Sequence, residues 1–314
     1  MNKKIPTKEG ELIKQGSKIK TNKKIETVKE LFESEILAEF INNSGQYLIL
    51  PKGTKILIAI KSLLKKYLQK ELGFEEVILP KMAPVDSFRK ADILGRWDDY
   101  LLSVKPFFKT NGVKEEYILD PLQCTVFYQF FENKKIDVSE KPLKWFDASG
   151  PTFRNEDLDK IFPSVKQREF HRSEFVYLGT EKQVIEIREL CLKQIEKLCD
   201  DLGLKYRIVV GNGCYQLKDG ELKFPESIRE IPIKDLEIFC PGYKNKDGEE
   251  YLEVVGSSIL ANTMTSRFNI KGENDEELWS GCTGIGLNRL MYALITNYGT
   301  KLKHMPEKIK EVMK

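Results

Sequence analysis

Two short segments carry charged and aromatic residues at alternating positions. Arg154 and Glu156 lie two residues apart in FRNE, and Phe170, Arg172 and Glu174 alternate within REFHRSEFVY. Alternate residues of a β-strand point to the same face, so each set is expected to share one face. Arginine binds phosphates or carboxylates, an aromatic ring can stack on a base, and a carboxylate accepts hydrogen bonds from an amine. The pattern favours a nucleotide site, although solvated strand faces also alternate in this way.

A glycine-rich segment near the carboxyl end, LWSGCTGIGLNRLMYALITNYG, supports this interpretation. Three glycines at 281, 284 and 286 leave the backbone open to close approach by a ligand. Arg289 then falls in the first turns of a helix whose apolar residues recur at helical spacing. The segment lacks the third glycine of the dinucleotide fingerprint, and the chain contains no G-x-x-x-x-G-K-[ST] phosphate loop.

Together these segments resemble motif 2 and motif 3 of the class II aminoacyl-tRNA synthetases. A third segment, LGFEEVILPKMAP at 72–84, is similar to motif 1, which normally forms the dimer interface of that family. The resemblance implies an α+β fold, an antiparallel β-sheet flanked by helices, with an ATP site on the sheet. It also implies a homodimer.

Within class II, the phrases REFHRSEFVYLGT and ELWSGCTGIGLNRL resemble two related groups. These are the atypical, zinc-dependent seryl-tRNA synthetases of methanogens and the truncated bacterial amino acid:[carrier protein] ligases. The resemblance implies zinc ligands at Cys124, Glu174 and Cys282, with the metal coordinating the amino group of the substrate. Spacing alone does not suggest this site, because a single cysteine is more often a small buried apolar residue.

The same resemblance implies roles for the remaining site residues. Arg154 and Arg289 would act on the phosphates of ATP, and Glu156 and Phe170 would hold the adenine. Arg172 and Glu174 would contact the amino acid.

A magnesium ion is also implied, on a strand that contains YLEVVGSSIL. Glu253 and Ser258 match best as its ligands, with Ser257 and Asn262 as near alternatives. An exposed strand carboxylate is the alternative interpretation of Glu253, since magnesium takes only one or two protein carboxylates.

The pattern of apolar residues predicts the elements that position these side chains. Helices are predicted at about 25–42, 54–71 and 181–202, and strands return between 205 and 270. We expect residues 1–45 to form an N-terminal arm with the start of the first helix, and residues 46–314 to form the catalytic domain.

Composition limits the possible partners and compartment. The 314 residues include 51 basic and 48 acidic side chains, so the net charge of +3 does not indicate a strongly basic nucleic-acid surface. Six cysteines in a lysine-rich chain without a signal-like start indicate a reducing cytoplasm. No apolar run approaches the length of a membrane span.

These observations lead to an expected function. The chain is expected to activate glycine, alanine or serine with ATP and to transfer it to the phosphopantetheine thiol of a carrier protein. Two features favour a carrier protein over tRNA as the acceptor. The net charge of the chain is near neutral, and only about 45 residues precede the catalytic part. The alternatives are a minimal seryl-tRNA synthetase that acylates tRNA and a non-catalytic synthetase paralogue with a binding or regulatory role.

Overall fold

The computed structural model describes residues 5–25, 28–42, 44–110, 112–212 and 225–313. Cys214 therefore lies outside the described residues. Within them, the helices are α1 Lys29–Glu33, α2 Pro51–Leu64, α3 Val85–Lys90, α4 Cys124–Phe130, α5 Glu181–Asp201, α6 Thr263–Arg267, α7 Leu287–Tyr298 and α8 Glu307–Met313. The strands are β1 Leu12–Gln15, β2 Leu37–Glu39, β3 Tyr47–Ile49, β4 Glu75–Glu76, β5 Met82–Pro84, β6 Leu102–Thr110, β7 Val113–Leu119, β8 Lys135–Ile136, β9 Leu143–Asp147, β10 Pro151–Phe153, β11 Glu169–Gly179, β12 Tyr206–Val210, β13 Ile233–Phe239, β14 Tyr251–Ala261, β15 Lys271–Gly272 and β16 Trp279–Gly286.

One large sheet dominates the described chain. Its strand order is β1-β12-β13-β14-β16-β11-β9-β4, and β10 adds to it by pairing with β11. All its neighbours are antiparallel except β4 and β9. With helices packed against this sheet, the predicted α+β class is confirmed.

The two faces of the sheet have different coverings. Helices α2, α5 and α7 bury one face in an apolar core that includes Phe175 and Tyr177 of β11. A second core, built around α3, α4, α6 and the small sheet β5-β7-β6, covers one end of the other face. The rest of that face is left for the site described below.

The predicted alternation along β11 is confirmed. Phe175 and Tyr177 are fully buried in the helix-covered core, whereas Phe170 and Arg172 line a cavity on the other side. Burial of Phe175 and Tyr177 fixes the register of the strand, so Arg172, an odd number of positions before them, must point to the opposite face.

Local sequence explains where helix α5 begins and ends. Thr180 caps its first turn in a capping box with Gln183, and Gly203 follows its last turn with φ +63°. The prediction of a helix at 181–202 is therefore confirmed. The helix predicted at 54–71 begins earlier, at Pro51, and continues beyond Leu64 as a π-helical segment to Lys70.

Two sequence-based predictions are wrong. The helix predicted at about 25–42 covers only Lys29–Glu33, although residues 26 and 27 lie outside the described part. Glu35 has a positive φ of 57°, and the Ile36 amide closes the helix end by donating to the Leu31 carbonyl. Before this helix, β1 pairs with β12 of the main sheet.

The FRNE segment is the second correction. β10 ends at Phe153, so Arg154 and Glu156 do not lie in a strand. The Arg154 amide still bonds the Arg168 carbonyl, but the Asn155 amide donates to the Tyr100 carbonyl instead of continuing the ladder. A contact with a distant loop thus ends the strand.

No helix among the described residues is long and apolar enough to cross a membrane.

Candidate active site

A cavity of about 520 Å³ opens on the face of the main sheet that the helices leave uncovered. Strands β11, β13, β14 and β16 form its floor, and loops around residues 97–100 and 154–167 form its walls. The lining includes eight residues predicted from the sequence: Arg154, Glu156, Phe170, Arg172, Glu253, Ser258, Cys282 and Arg289. Residues separated by more than a hundred positions therefore share one space.

Phe170 and its neighbours form the wall that is suited to a planar ligand. The Arg154 guanidinium carbon lies 5.3 Å from the centre of the Phe170 ring. Glu156 is buried, and one of its carboxylate oxygens lies 3.1 Å from the Lys166 ammonium. An aromatic face beside paired charges can hold a base and the phosphates attached to it.

Arg289 also lines the cavity and lies in the first turn of α7. Its Nε donates to the Val165 carbonyl at 3.0 Å, and its guanidinium also donates to the Glu253 carbonyl at 3.0 Å. The Glu253 carboxylate lies 3.3 Å from the same guanidinium. These contacts fix a positive charge at the mouth of the cavity.

Two carboxylates face each other across β13 and β14. Burial, reinforced by the nearby charge of Glu253, raises the pKa of Asp235 well above its usual range. Ser258 lines the same wall, whereas Ser257 points to the other side and hydrogen-bonds Thr283 at 2.7 Å. The structure thus brings Ser258, and not Ser257, together with Glu253 in the cavity.

The three predicted zinc ligands converge below the cavity. Single ligand atoms of Cys124, Glu174 and Cys282 all lie within 4.8 Å of one another, and all three residues are buried. Cys124 opens α4 directly after Gln123, whose positive φ of 67° turns the chain at this point.

Glu174 has the environment of a metal ligand. Its carboxylate is buried, the Arg172 guanidinium lies 2.9 Å from Oε2, and the Cys282 thiol is a hydrogen-bond neighbour. Burial raises the pKa of Glu174 to about 7, against the opposing positive charge of Arg172 and the contact with Cys282. Two buried thiols and a carboxylate are a donor set that suits zinc and leaves a coordination position for a substrate.

Gly284 explains part of the glycine pattern. It pairs with Glu174 across β11 and β16, and an added Cβ would collide with the Arg172 guanidinium. Glycine at this position therefore gives Arg172 the room to lie flat over the strand.

Sequence reasoning missed several residues that line the cavity. These are Trp97, Tyr100, Lys166, Gln167, Asn212, Asp235 and Asn288, together with apolar neighbours. Asp235 carries a detectable signal, because Asp235 and Glu237 alternate with buried Leu236 and Ile238 in β13. The loop residues carry no periodic signal.

Comparison with known proteins identifies the family. The tRNA synthetase class II core domain (G, H, P, S and T) matches residues 107–298, which is more than half of the chain. The chain therefore belongs to the class II tRNA synthetase core family, as the resemblance implied.

Individual relatives come from methanogens. The type-2 serine--tRNA ligase of Methanococcus aeolicus is 29% identical over 301 residues, covering 86% of this chain and 56% of the relative. That of Methanococcoides burtonii is 31% identical over 293 residues, covering 85% and 58% respectively. The chain thus spans somewhat more than half the length of the curated relatives it matches.

Solved structures share the fold. A Methanopyrus kandleri SerRS in complex with Aquifex aeolicus tRNASec superposes with a TM-score of 0.86 at 21% identity, covering 98% of this chain and 64% of that chain. A Naegleria fowleri cytoplasmic serine-tRNA ligase bound to AMP gives a TM-score of 0.76 at 18% identity, covering 96% and 63%.

These comparisons correct one expectation from the sequence. Transfer to the phosphopantetheine thiol of a carrier protein is wrong as the leading function, and so is the carrier protein as the leading partner. The matched relatives are named serine--tRNA ligases, and one matched structure contains a tRNA. The findings favour the alternative, a seryl-tRNA synthetase that acylates tRNA.

Proposed function

We propose that this chain activates serine with ATP as seryl-adenylate and transfers the seryl group to tRNA. The observation that carries the proposal is one cavity lined by three arginines, an aromatic ring and several carboxylates, and adjoined at Cys282 by a buried Cys–Glu–Cys cluster. The names of the relatives supply serine and tRNA.

The first step forms a bond between a carboxylate oxygen of serine and the α-phosphorus of ATP, and pyrophosphate leaves. Arg154 and Arg289 stabilise the negative charge that builds up on the phosphates, since both line the cavity. Phe170 stacks on the adenine, and the Glu156 carboxylate accepts a hydrogen bond from the exocyclic amine of the adenine. Positioning and electrostatic stabilisation supply most of the rate, because the protein forms no covalent bond in this step.

Magnesium fits the wall formed by β14. The Glu253 carboxylate and the Ser258 hydroxyl would hold it, and oxygen ligands of this kind suit that ion. When bound, the ion would neutralise negative charge on the phosphates of ATP. Arg289 already lies beside Glu253, so positive charge converges at the place where pyrophosphate departs.

Zinc fits the cluster below the cavity, and Cys124, Glu174 and Cys282 would hold it. When bound, it supplies a Lewis-acid site for the α-amino group of the substrate. Arg172 lies between this cluster and the cavity, where it orients Glu174 and the carboxylate of the amino acid. Serine carries the amino group that this site needs, whereas hydroxy acids do not.

In the second step, a terminal ribose hydroxyl of tRNA attacks the carbonyl carbon of the adenylate and AMP leaves. Support for tRNA as the acceptor comes from the relatives, of which this chain matches somewhat more than half the length.

Two assays test the proposal in order. Serine-dependent exchange of labelled pyrophosphate into ATP tests activation, with glycine and alanine as competing amino acids. Acylation of total tRNA with labelled serine then tests transfer. If no amino acid supports pyrophosphate exchange, the chain is a non-catalytic paralogue. Exchange that is not followed by labelling of tRNA would refute the second step.

A further inference from the structure

One wall of the cavity is a loop, residues 92–100, that is anchored from both sides. We call it the Trp97 loop. The Arg267 guanidinium, from α6, donates to the Ala91 carbonyl at 2.9 Å immediately before the loop. At its far end the Asn155 amide donates to the Tyr100 carbonyl at 2.8 Å. The loop therefore bridges α6 and the segment that follows β10.

Trp97 points from this loop toward Arg154. The ring of Trp97 is half-buried, packs against the second core and lines the cavity. The Arg154 guanidinium carbon lies over this ring at 5.2 Å from its centre, and over the Phe170 ring at 5.3 Å. Both distances are within the range of a cation–π contact.

The Arg154 guanidinium also contacts groups other than the two rings. Its Nε lies 3.4 Å from the Pro121 carbonyl, which is long for a hydrogen bond. An arginine side chain has many rotamers, and restricting them in advance lowers the cost of holding a phosphate. Contact through the ring faces leaves the in-plane N–H donors of the guanidinium able to bind oxygen.

The two rings have different tasks under the proposed function, on which this inference rests. Phe170 is engaged by the adenine when ATP binds, whereas Trp97 belongs to a separately anchored loop. Trp97 therefore remains a contact of the Arg154 guanidinium when the adenine occupies Phe170. We infer that Trp97 is a positioning residue that orients the Arg154 guanidinium toward the phosphate and carboxylate of the reacting pair.

The test compares leucine with phenylalanine at position 97. Trp97→Leu keeps apolar packing but removes the ring, whereas Trp97→Phe keeps a ring. We expect Trp97→Leu to lower kcat of serine-dependent pyrophosphate exchange roughly 3- to 30-fold, the size of a partly buried cation–π contact, with a smaller effect on the KM for ATP. Trp97→Phe should retain most of the rate.

A double-mutant cycle separates positioning from a merely structural role. In the Arg154→Ala background, Trp97→Leu should cause no further loss, because the residue that it orients is gone. Phe130→Ala is the matched control, since Lys134 lies 3.5 Å over that ring outside the cavity, and its exchange rate should equal that of the unmodified chain.

Three results would overturn the inference. One is an additive loss in the double variant, and another is a Trp97→Phe variant as slow as Trp97→Leu. The third result concerns the case in which the unmodified chain shows no exchange and the proposed function itself fails. Calorimetric binding of Mg·ATP then replaces kcat in the same cycle, and equal weakening by Trp97→Leu with and without Arg154 would refute the positioning role.

Discussion

Cys124, Glu174 and Cys282 show how distant residues come to share one site. Glu174 and Cys282 lie on neighbouring strands, two positions apart in the register between β11 and β16. Cys124 reaches them from the first turn of α4, after the left-handed turn at Gln123. Spacing in the sequence could not reveal this arrangement, because it depends on strand pairing and on one backbone turn.

The cluster predicts a specific metal content. Protein purified without chelator should contain about one zinc per chain, and Cys124→Ala or Cys282→Ala should lose it, because two remaining ligands bind weakly. Metal analysis by mass spectrometry measures this. Cys191→Ala is the matched control, since Cys191 is equally buried but lies in the other core. Full zinc content in both cluster variants would show that the assignment is wrong.

Arg154 should be essential for activation. Its replacement removes a charge that we place on the phosphates, and such a loss costs on the order of 2 to 4 kcal/mol, or roughly 30- to 1000-fold in rate. Arg154→Ala should therefore slow pyrophosphate exchange by that factor, to a rate that is still measurable, at unchanged thermal stability. Arg207→Ala removes an arginine that pairs with Glu237 and Glu249 instead, and it should exchange normally. Normal exchange by Arg154→Ala would exclude the assigned role.

At the scale of elements, strand periodicity predicted the site better than it predicted the ends of the elements. The alternation in β11 put Phe170 and Arg172 in the cavity and Glu174 beside Cys282, because burial of Phe175 and Tyr177 on the other face decides the register. FRNE failed as a strand because Asn155 bonds a loop that is distant in sequence. Arg154 and Glu156 nevertheless both line the cavity, so the two side chains share one side although the segment is not a strand.

His171, also in β11, makes the stability of the fold depend on pH. Burial first, and then the charge of Lys61, lower the pKa of His171 from 6.5 to about 4. The unfolded chain therefore binds a proton at a higher pH than the folded chain does. Stability that is present above pH 6.5 is lost as the pH falls from there toward 4.

A histidine variant tests this dependence. Between about pH 7 and pH 5, the His171 contribution should lower the free energy of unfolding by on the order of 1 to 2 kcal/mol, allowing for partial solvent access. Denaturant titrations at the two pH values measure the change, which should shrink in His171→Gln. The exposed His304 is the only other histidine, and His304→Gln should behave like the unmodified chain. An unchanged pH dependence in His171→Gln would contradict the assignment.

At the scale of the whole molecule, the sequence motifs predicted the family but did not identify the acceptor. The residues that bind ATP and the amino acid are implied alike for seryl-tRNA synthetases and for carrier-protein ligases, so the motifs do not distinguish them. The net charge of +3 was a poor guide, because it sums the entire surface and an RNA contact depends on one face. The names of the relatives, and not the composition, favour tRNA as the acceptor.

The molecule should form a homodimer through the segment that resembles motif 1. Ile78 follows β4 at one edge of the main sheet and is 82% exposed, and nearby Met82 is 40% exposed. Exposed apolar side chains at such an edge favour contact with a second copy. Light scattering after gel filtration should therefore give twice the chain mass of 36.4 kDa.

Charge substitutions at the two edges of the sheet locate the dimer contact. Ile78→Glu should shift the chain toward monomer, because an unpaired carboxylate is costly to bury in an interface. Leu12→Glu alters a residue that is 53% exposed on β1, at the opposite edge, and should leave the dimer intact. An unmodified chain that is monomeric at micromolar concentration would refute the homodimer. Dissociation by Leu12→Glu alone would place the contact at β1, since only the edge that is buried in the dimer can respond to an added charge.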